Sequence, residues 1–274
     1  MSLRAAVIEV VDRAIPPPWR GALQRRHFLH THKWCNLHWG VFDSFASANE
    51  FARRHGHTAH YKLDHRQWLT EHLALMPHDY PVLFWLERLL CSPAGRQFSR
   101  MADLGGSVGP TYLAFKPYLS LPPALVWQVC ELPEVVEFGR QVARECGEEA
   151  HLQFTCETRA LSGADVLLAA GAIQFIDARL DDMLRSLPQA PPHIFINRVP
   201  LTQGEGFVTL QNTGAALCPY HIRNEQGFID AMGAIGYAVV DRWKCMQNST
   251  HIPLHPERTL DYFHGFYFRR DGAG

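Results

Sequence analysis

Asp103 stands two residues ahead of Gly105, and the run continues Gly106, Ser107, Val108, Gly109, Pro110. A turn this rich in small residues, running from a strand into a helix, lets backbone approach a ligand closely. What is missing narrows the ligand. A dinucleotide fingerprint started at Gly105 would need glycine at Ser107 and at Pro110, and no G-K-[ST] follows to make a P-loop. An acid at the strand end would also repel a pyrophosphate. Glu131 closes the next expected strand and places a second carboxylate where ribose hydroxyls are gripped. Two acids around a glycine turn fit a cationic nucleoside better than a phosphate.

Other chemistry-bearing residues fall at later strand ends: Cys156-Glu157, Ala170-Gly171 and Asn197-Arg198. In open α/β sheets ligands bind outside the carboxyl ends of the strands, so these positions face the same crevice. The Arg198 fork, beside Asn197, suits a carboxylate on a substrate; a structural ion pair is the other reading. The chain has 16 His, and they crowd early: His27, His30, His32, His38, His55, His57, His60 and His65. No H-E-x-x-H and no matched Cys pair accompanies them, so structural or surface roles compete with metal ligation.

The elements that must position these groups follow from periodicity. Short apolar runs alternate with amphipathic ones from Ser99 onward. Strands are expected at Arg100–Leu104, Leu125–Cys130, Leu152–Thr155, Asp165–Ala169, Ile194–Asn197, Ala238–Arg242 and Phe263–Arg269. Helices are expected near Thr111–Leu119, Glu134–Glu145, Ala178–Ser186 and Glu225–Ala234. This alternation predicts an α/β, Rossmann-like, mostly parallel sheet. Only a proline-containing loop separates the last two strands, so they are expected to pair antiparallel at a sheet edge.

Before Ser99 the pattern reads as helical, with Ser44 capping a helix through Phe51 and further segments at His65–Met76 and Val82–Leu90. The chain therefore divides into a helical N-terminal extension, 1–98, and a ligand-binding domain, 99–274. Trp34, Trp39, Phe42, Phe45 and Trp68 in the extension either cover the pocket or form plain core.

Composition bounds the rest. The chain of 274 residues is 47% hydrophobic and 19% charged, with a formal net charge of −1. That favours a filled core and gives no basic footprint for nucleic acid. No apolar stretch reaches the roughly 20 residues needed to span a bilayer. Seven scattered Cys without a C-x-x-C pair argue against a disulfide frame and for a reducing, cytoplasmic setting. A homodimer is an open expectation.

Residues 103–109 resemble the first motif of class I S-adenosylmethionine-dependent methyltransferases, with Ser107 in place of the middle glycine. Trp39-Gly40-Val41-Phe42, Leu83-Phe84-Trp85-Leu86, Cys130-Glu131-Leu132-Pro133, Asn248-Ser249-Thr250-His251-Ile252-Pro253 and His264-Gly265-Phe266-Tyr267 resemble a bacterial methyltransferase family, over about Trp39 to Arg269. The resemblance implies the class I methyltransferase fold, S-adenosylmethionine as cofactor and a small-molecule acceptor, with O-methylation in natural-product or polysaccharide biosynthesis as the expected reaction. It assigns Asp103, Gly105, Gly106, Ser107, Gly109, Glu131 and Leu132 to the cofactor. Glu157 would lie near the adenine, and Ala170 to Gln174 along the methionine side and the acceptor.

A hydroxyl acceptor needs a base, and histidine suits that task near neutral pH. Small-molecule O-methyltransferases resemble this chain around Tyr220-His221, where a His precedes a helix ending in Gly plus an aromatic. His221 is therefore the expected base, in a loop, with Tyr220, Gln174, Asn197, Arg198 and Trp39 near the acceptor. Gln211, Asn212, Asn248 and His251 are further polar candidates. Two rival readings remain: a methyltransferase-like binding or scaffold protein without catalysis, and a metal-dependent enzyme built on the early His residues.

Overall fold

Along Arg100–Leu104 (β2) successive side chains alternate between two buried faces, Met101 to one and Ala102 and Leu104 to the other. Val166–Ala170 (β5) and His193–Val199 (β6) do the same, which is why these strands read as near-continuous apolar runs. The computed structural model describes residues 17–31, 36–55, 69–70, 73–214 and 216–272.

Backbone contacts divide the chain into two units. The larger comprises Leu63–Gly206, His221–Ser249 and Leu260–Gly274; the smaller comprises Met1–Lys62, Phe207–Tyr220 and Thr250–Thr259. The larger holds a seven-stranded sheet that also includes Val126–Cys130 (β3), Leu152–Thr155 (β4), Tyr237–Cys245 (β10) and Phe263–Arg270 (β11). Its spatial order is β10-β11-β6-β5-β2-β3-β4. β2 through β6 run parallel, and β11 pairs antiparallel with both β6 and β10. The Rossmann-like sheet and the antiparallel pairing of the last two strands are as expected. The order turns at β2, with β3 and β4 on one side and β5 and β6 on the other. A ligand crevice belongs at that reversal.

Helices supply the crossovers. Pro110–Phe115 (α4) follows the glycine turn, with Pro110 at its first position, where no N–H is needed. Pro133–Cys146 (α5) buries Val135, Val136, Gly139, Val142 and Ala143, a helical spacing that faces the sheet. It stops at Gly147, whose φ of 68° lets its N–H close on Ala143 and Arg144. Leu180–Arg185 (α6) precedes β6, the short strand Leu201–Thr202 (β7) follows it, and Glu225–Gly233 (α7) precedes β10. Asn224 caps α7, its Oδ1 accepting the Gly227 N–H at 2.7 Å. The larger unit also contains Tyr80–Leu90 (α3), which buries Val82, Leu83, Leu86 and Leu90.

The smaller unit contains Pro17–His30 (α1), Leu37–Phe42 (β1), Phe45–His55 (α2) and Phe207–Asn212 (β8). β1 pairs antiparallel with β8, Trp39 opposite Leu210. Ser44 caps α2 as expected, its Oγ accepting the Ser47 N–H at 3.1 Å. Phe28, Ala48, Ala52, Val208 and Leu210 make the core, with Trp39 packed against it. The region before residue 98 is thus not wholly helical, because β1 finds a partner about 170 residues later, which local periodicity cannot report. The candidates Trp34, Trp68, His32, His57, His60 and His65 lie outside the described residues, as does half of the expected His65–Met76 helix, of which residues 69–70 are helical and 73–76 are not.

Candidate active site

Gly105 and Gly109 sit at φ of 70° and 89°, and Ser107 between them at 51°. The left-handed region is easy for glycine and costs other residues about 1–2 kcal/mol. The turn therefore needs glycine at two of its positions and tolerates serine at the third. Gly106 needs its missing side chain for another reason. A Cβ there would come within 2.5 Å of Asp103 Oδ2.

Asp103 is only 1% exposed. Its Oδ2 accepts the Trp127 indole N–H at 3.0 Å, while Oδ1 is buried without a partner. Burial raises its pKa from 3.8 to about 7; the Trp127 bond opposes this, and the nearby charge of Glu131 adds to it. Glu131 Oε1 accepts the Ser107 N–H at 3.1 Å and Oε2 accepts the Leu132 N–H at 2.8 Å. Burial raises Glu131 as well, against those two amide bonds. The two acids expected around the glycine turn are therefore brought together, both paying for desolvation. Leu132 beside them is 56% exposed, an apolar side chain facing outward next to the two acids. Glu157 follows β4 on the exposed surface.

At the end of β5, Gly171 turns at φ 73° and its N–H bonds Asn197 O at 2.8 Å. Gln174, in the turn Ile173–Phe175, is 4% exposed, and its Oε1 is buried without a partner. Arg198 ends the run with a φ of 58° and donates through its guanidinium to Ala170 O at 2.8 Å. A Cβ on Gly171 would stand 3.3 Å from Arg198 Nε, so glycine lets the guanidinium lie closely against the turn. Arg198 makes no ion pair among the described residues. Asn197 is 1% exposed and hydrogen-bonded through both amide atoms. Its Nδ2 donates to Asp79 Oδ1 at 3.3 Å, and its Oδ1 accepts from Trp243 Nε1 at 3.0 Å and Cys245 Sγ at 3.4 Å.

His221 is not in a loop but in a strand, Leu217–Asn224 (β9). Pro219 within this run lacks the N–H a strand interior uses, and so makes the segment read as a loop. His221 Nε2 lies 3.3 Å from Asp177 Oδ1. Its pKa is lowered by burial and by the Arg223 charge, against the pull of Asp177. Arg223 in turn donates to Ile173 O at 3.1 Å and Ile176 O at 3.2 Å, holding the turn that carries Gln174 and leads to Asp177.

The remaining candidates belong to the smaller unit or its boundary. Tyr220 is 1% exposed and meets His38 edge-on at 5.0 Å. Trp39 packs against Phe28 at 6.4 Å. Gln211 donates to Asn36 Oδ1 at 2.8 Å, and Asn212 to Thr31 O at 3.0 Å. His251 is exposed, with Thr259 Oγ1 at 3.5 Å, and Asn248 Oδ1 is buried without a partner. Among the described residues no group of three His, Cys, Asp or Glu is gathered that could hold a metal. No helix among them is long and apolar enough to cross a membrane.

One cluster in the larger unit, beside the end of β6, carried no signal in the sequence. His78 lies in the turn Pro77–Asp79, 4% exposed, with Nδ1 3.4 Å from Gln247 Oε1 and Nε2 3.6 Å from Asp79 Oδ1. Asp79 Oδ2 accepts the Met76 N–H at 2.9 Å. A lone His after Pro77 carries no motif; the Asn197 contact to Asp79 ties it to the end of β6.

No protein-family model matches the chain. No curated protein matches it either. Solved structures similar to it include 1,6-didemethyltoxoflavin N1-methyltransferase from Burkholderia thailandensis, 18% identical over 72% of this chain and 91% of that one, TM-score 0.44. Mitomycin 7-O-methyltransferase is 15% identical over 94% of this chain and 69% of that one, TM-score 0.43. An O-methyltransferase family protein from Burkholderia thailandensis is 13% identical over 93% and 70%, TM-score 0.48. At these scores the likenesses add nothing to the fold, which rests on the strand order β10-β11-β6-β5-β2-β3-β4.

Proposed function

We propose that this chain binds S-adenosylmethionine at the β2–β3 edge and transfers its methyl group to a small-molecule acceptor. The observation that carries the reading is the pair of desolvated acids at the glycine turn. Asp103 and Glu131 repel one another, and Asp103 Oδ1 lacks any partner. A cation seated on the turn relieves both penalties, whereas a phosphate adds to them.

The residues fit the cofactor. Gly105, Gly106, Ser107 and Gly109 let its backbone-facing side approach, and Glu131 retains lone pairs for ribose hydroxyls. Leu132 offers the adenine an apolar surface, with Glu157 beyond it. Ala170, Gly171 and Gln174 flank the methionine side. When bound, the cofactor supplies an electrophilic methyl on a sulfonium. The chain's own part is to align the acceptor with that carbon, since charge is neutralised rather than created.

A hydroxyl acceptor must also lose a proton. His221, held by Asp177 and kept uncharged near neutral pH by burial and the Arg223 charge, is proposed as the group that takes it. Calorimetry with S-adenosylmethionine and S-adenosylhomocysteine tests the cofactor, and release of S-adenosylhomocysteine against a panel of phenols, hydroxy acids and amines tests the transfer. Heat with both nucleosides and turnover on one acceptor class is expected. Binding without turnover on any class favours the scaffold reading, and absence of binding removes the proposal.

A further inference from the structure

His78 and Arg198 have complementary unmet needs. Gln247 presents its amide oxygen to His78 Nδ1, so that nitrogen carries the proton and Nε2 is left as an acceptor. Nε2 is buried and receives no hydrogen bond. The Arg198 guanidinium is partly buried, pinned above Gly171 by Ala170 O, and without an ion pair among the described residues. Its backbone holds a left-handed conformation, the kind of strain that persists where a side chain must be aimed.

The two groups are neighbours in the fold. Asn197, next to Arg198, donates to Asp79, next to His78, and the Arg198 charge acts on the His78 ring. Asp79 does not fill the need, because its oxygens act as acceptors, towards Met76 N and Asn197 Nδ2, and offer Nε2 no donor. The corner lies at the end of β6, two strands from β2 in the sheet, or about 10 Å from the glycine turn. That is the side on which a second substrate would sit if the nucleoside occupies β2 and β3.

We infer that Arg198 and His78 form a subsite for a hydroxy acid, the guanidinium taking the carboxylate and His78 Nε2 accepting a hydrogen bond from the neighbouring hydroxyl, a recognition group distinct from the methylated atom whose proton His221 takes. The inference rests on the methyl-transfer reading and names its acceptor class: a small carboxylic acid carrying a hydroxyl. A guanidinium fork pairs a carboxylate through two parallel bonds, and a buried imidazole lone pair rejects analogues lacking the donor. The other source of a carboxylate here is the amino-acid tail of the methyl donor.

The test uses the full chain saturated with S-adenosylhomocysteine and titrated with 2-, 3- and 4-hydroxybenzoate, benzoate and phenol. At least one hydroxybenzoate is expected to bind tenfold or more tightly than both benzoate and phenol. Arg198→Gln should abolish the preference over phenol, and His78→Gln the preference over benzoate, with thermal unfolding confirming that each variant is folded. Because His78 is buried, Arg198→Lys serves as a second variant, expected to lose part of the effect while folding normally. Binding no better than benzoate and phenol, or unchanged in the folded variants, overturns the subsite. A second arm compares S-adenosylhomocysteine with 5′-methylthioadenosine, which lacks the amino-acid tail. If Arg198→Gln weakens only the former, the guanidinium serves the donor and the inference fails. If the chain captures a hydroxybenzoate but neither nucleoside, the methyl-transfer reading fails and the subsite stands.

Discussion

Gly106 lies over the carboxyl group of Asp103 so closely that a Cβ would approach Oδ2 to 2.5 Å. The floor of the glycine turn is therefore an acid, and the missing side chain lets backbone and carboxyl share the space. Neither can move readily, since Trp127 holds Asp103 from the other side. Gly106→Ala is expected to cost about 1–3 kcal/mol of stability, the usual penalty for overpacking a closed site. It should also weaken S-adenosylhomocysteine binding at least tenfold. Urea unfolding and calorimetry read the two effects; wild-type values in both would show that the turn yields easily.

Asp103 makes stability depend on pH in an unusual direction. Its folded pKa of about 7 exceeds the ordinary 3.8, so between those values the folded state holds a proton that the unfolded state has released. Stability is fully present below about pH 4 for this group and falls as pH rises toward 7. The span corresponds to about 4 kcal/mol at most. Asp103→Asn removes this slope while keeping an oxygen for Trp127, so its advantage over the wild type should grow from pH 4 to pH 7. Parallel stability curves across that range would mean that Asp103 ionises freely.

For Glu131 the expected loss is in cofactor binding. Glu131→Gln keeps an oxygen for one of the two backbone N–H groups and loses the charge, so S-adenosylhomocysteine should bind at least tenfold more weakly, in line with about 1.5–3 kcal/mol for charge-assisted bonds. Unaltered affinity in calorimetry would reject the ribose role.

His221→Ala should lower methylation of a hydroxyl acceptor at least about a hundredfold with cofactor affinity nearly intact. A base must be unprotonated to work, and the His221 pKa is lowered from 6.5 by burial and the Arg223 charge. The acid limb of kcat is thus expected below pH 6.5, and Asp177→Asn, which removes the group that opposes this shift, should move the limb lower. A limb that stays put in Asp177→Asn would separate the dyad from the chemistry.

Ser107 tests the turn itself. Because its φ is 51°, Ser107→Val should destabilise by about 1–2 kcal/mol, whereas Ser107→Gly should be nearly neutral, relief of backbone strain being offset by greater freedom of the unfolded chain. Thermal scans of the two variants decide it. Equal losses in both would place the cost in the Ser107 side chain.

The seven-stranded sheet and its glycine turn could be read from residue order alone. Arg100–Leu104 was legible to the residue because a strand buried on both faces leaves a short apolar run, and Leu152–Thr155 because an edge strand alternates, Leu152 and Phe154 buried and Gln153 exposed. The pairing of Asp103 with Glu131 was legible too, since consecutive parallel strands put their ends side by side. The rest required tertiary structure. β1 and β8 were missed because each is completed by a strand far along the chain. His221 moved from loop to strand because Pro219 obscures the extended run around it. His78 was invisible, since its position depends on Asn197, 118 residues beyond Asp79. Periodicity records which face a residue presents, a local property of the backbone. Which unmet donor meets which unmet acceptor depends on how distant segments pack, and no local spacing encodes it.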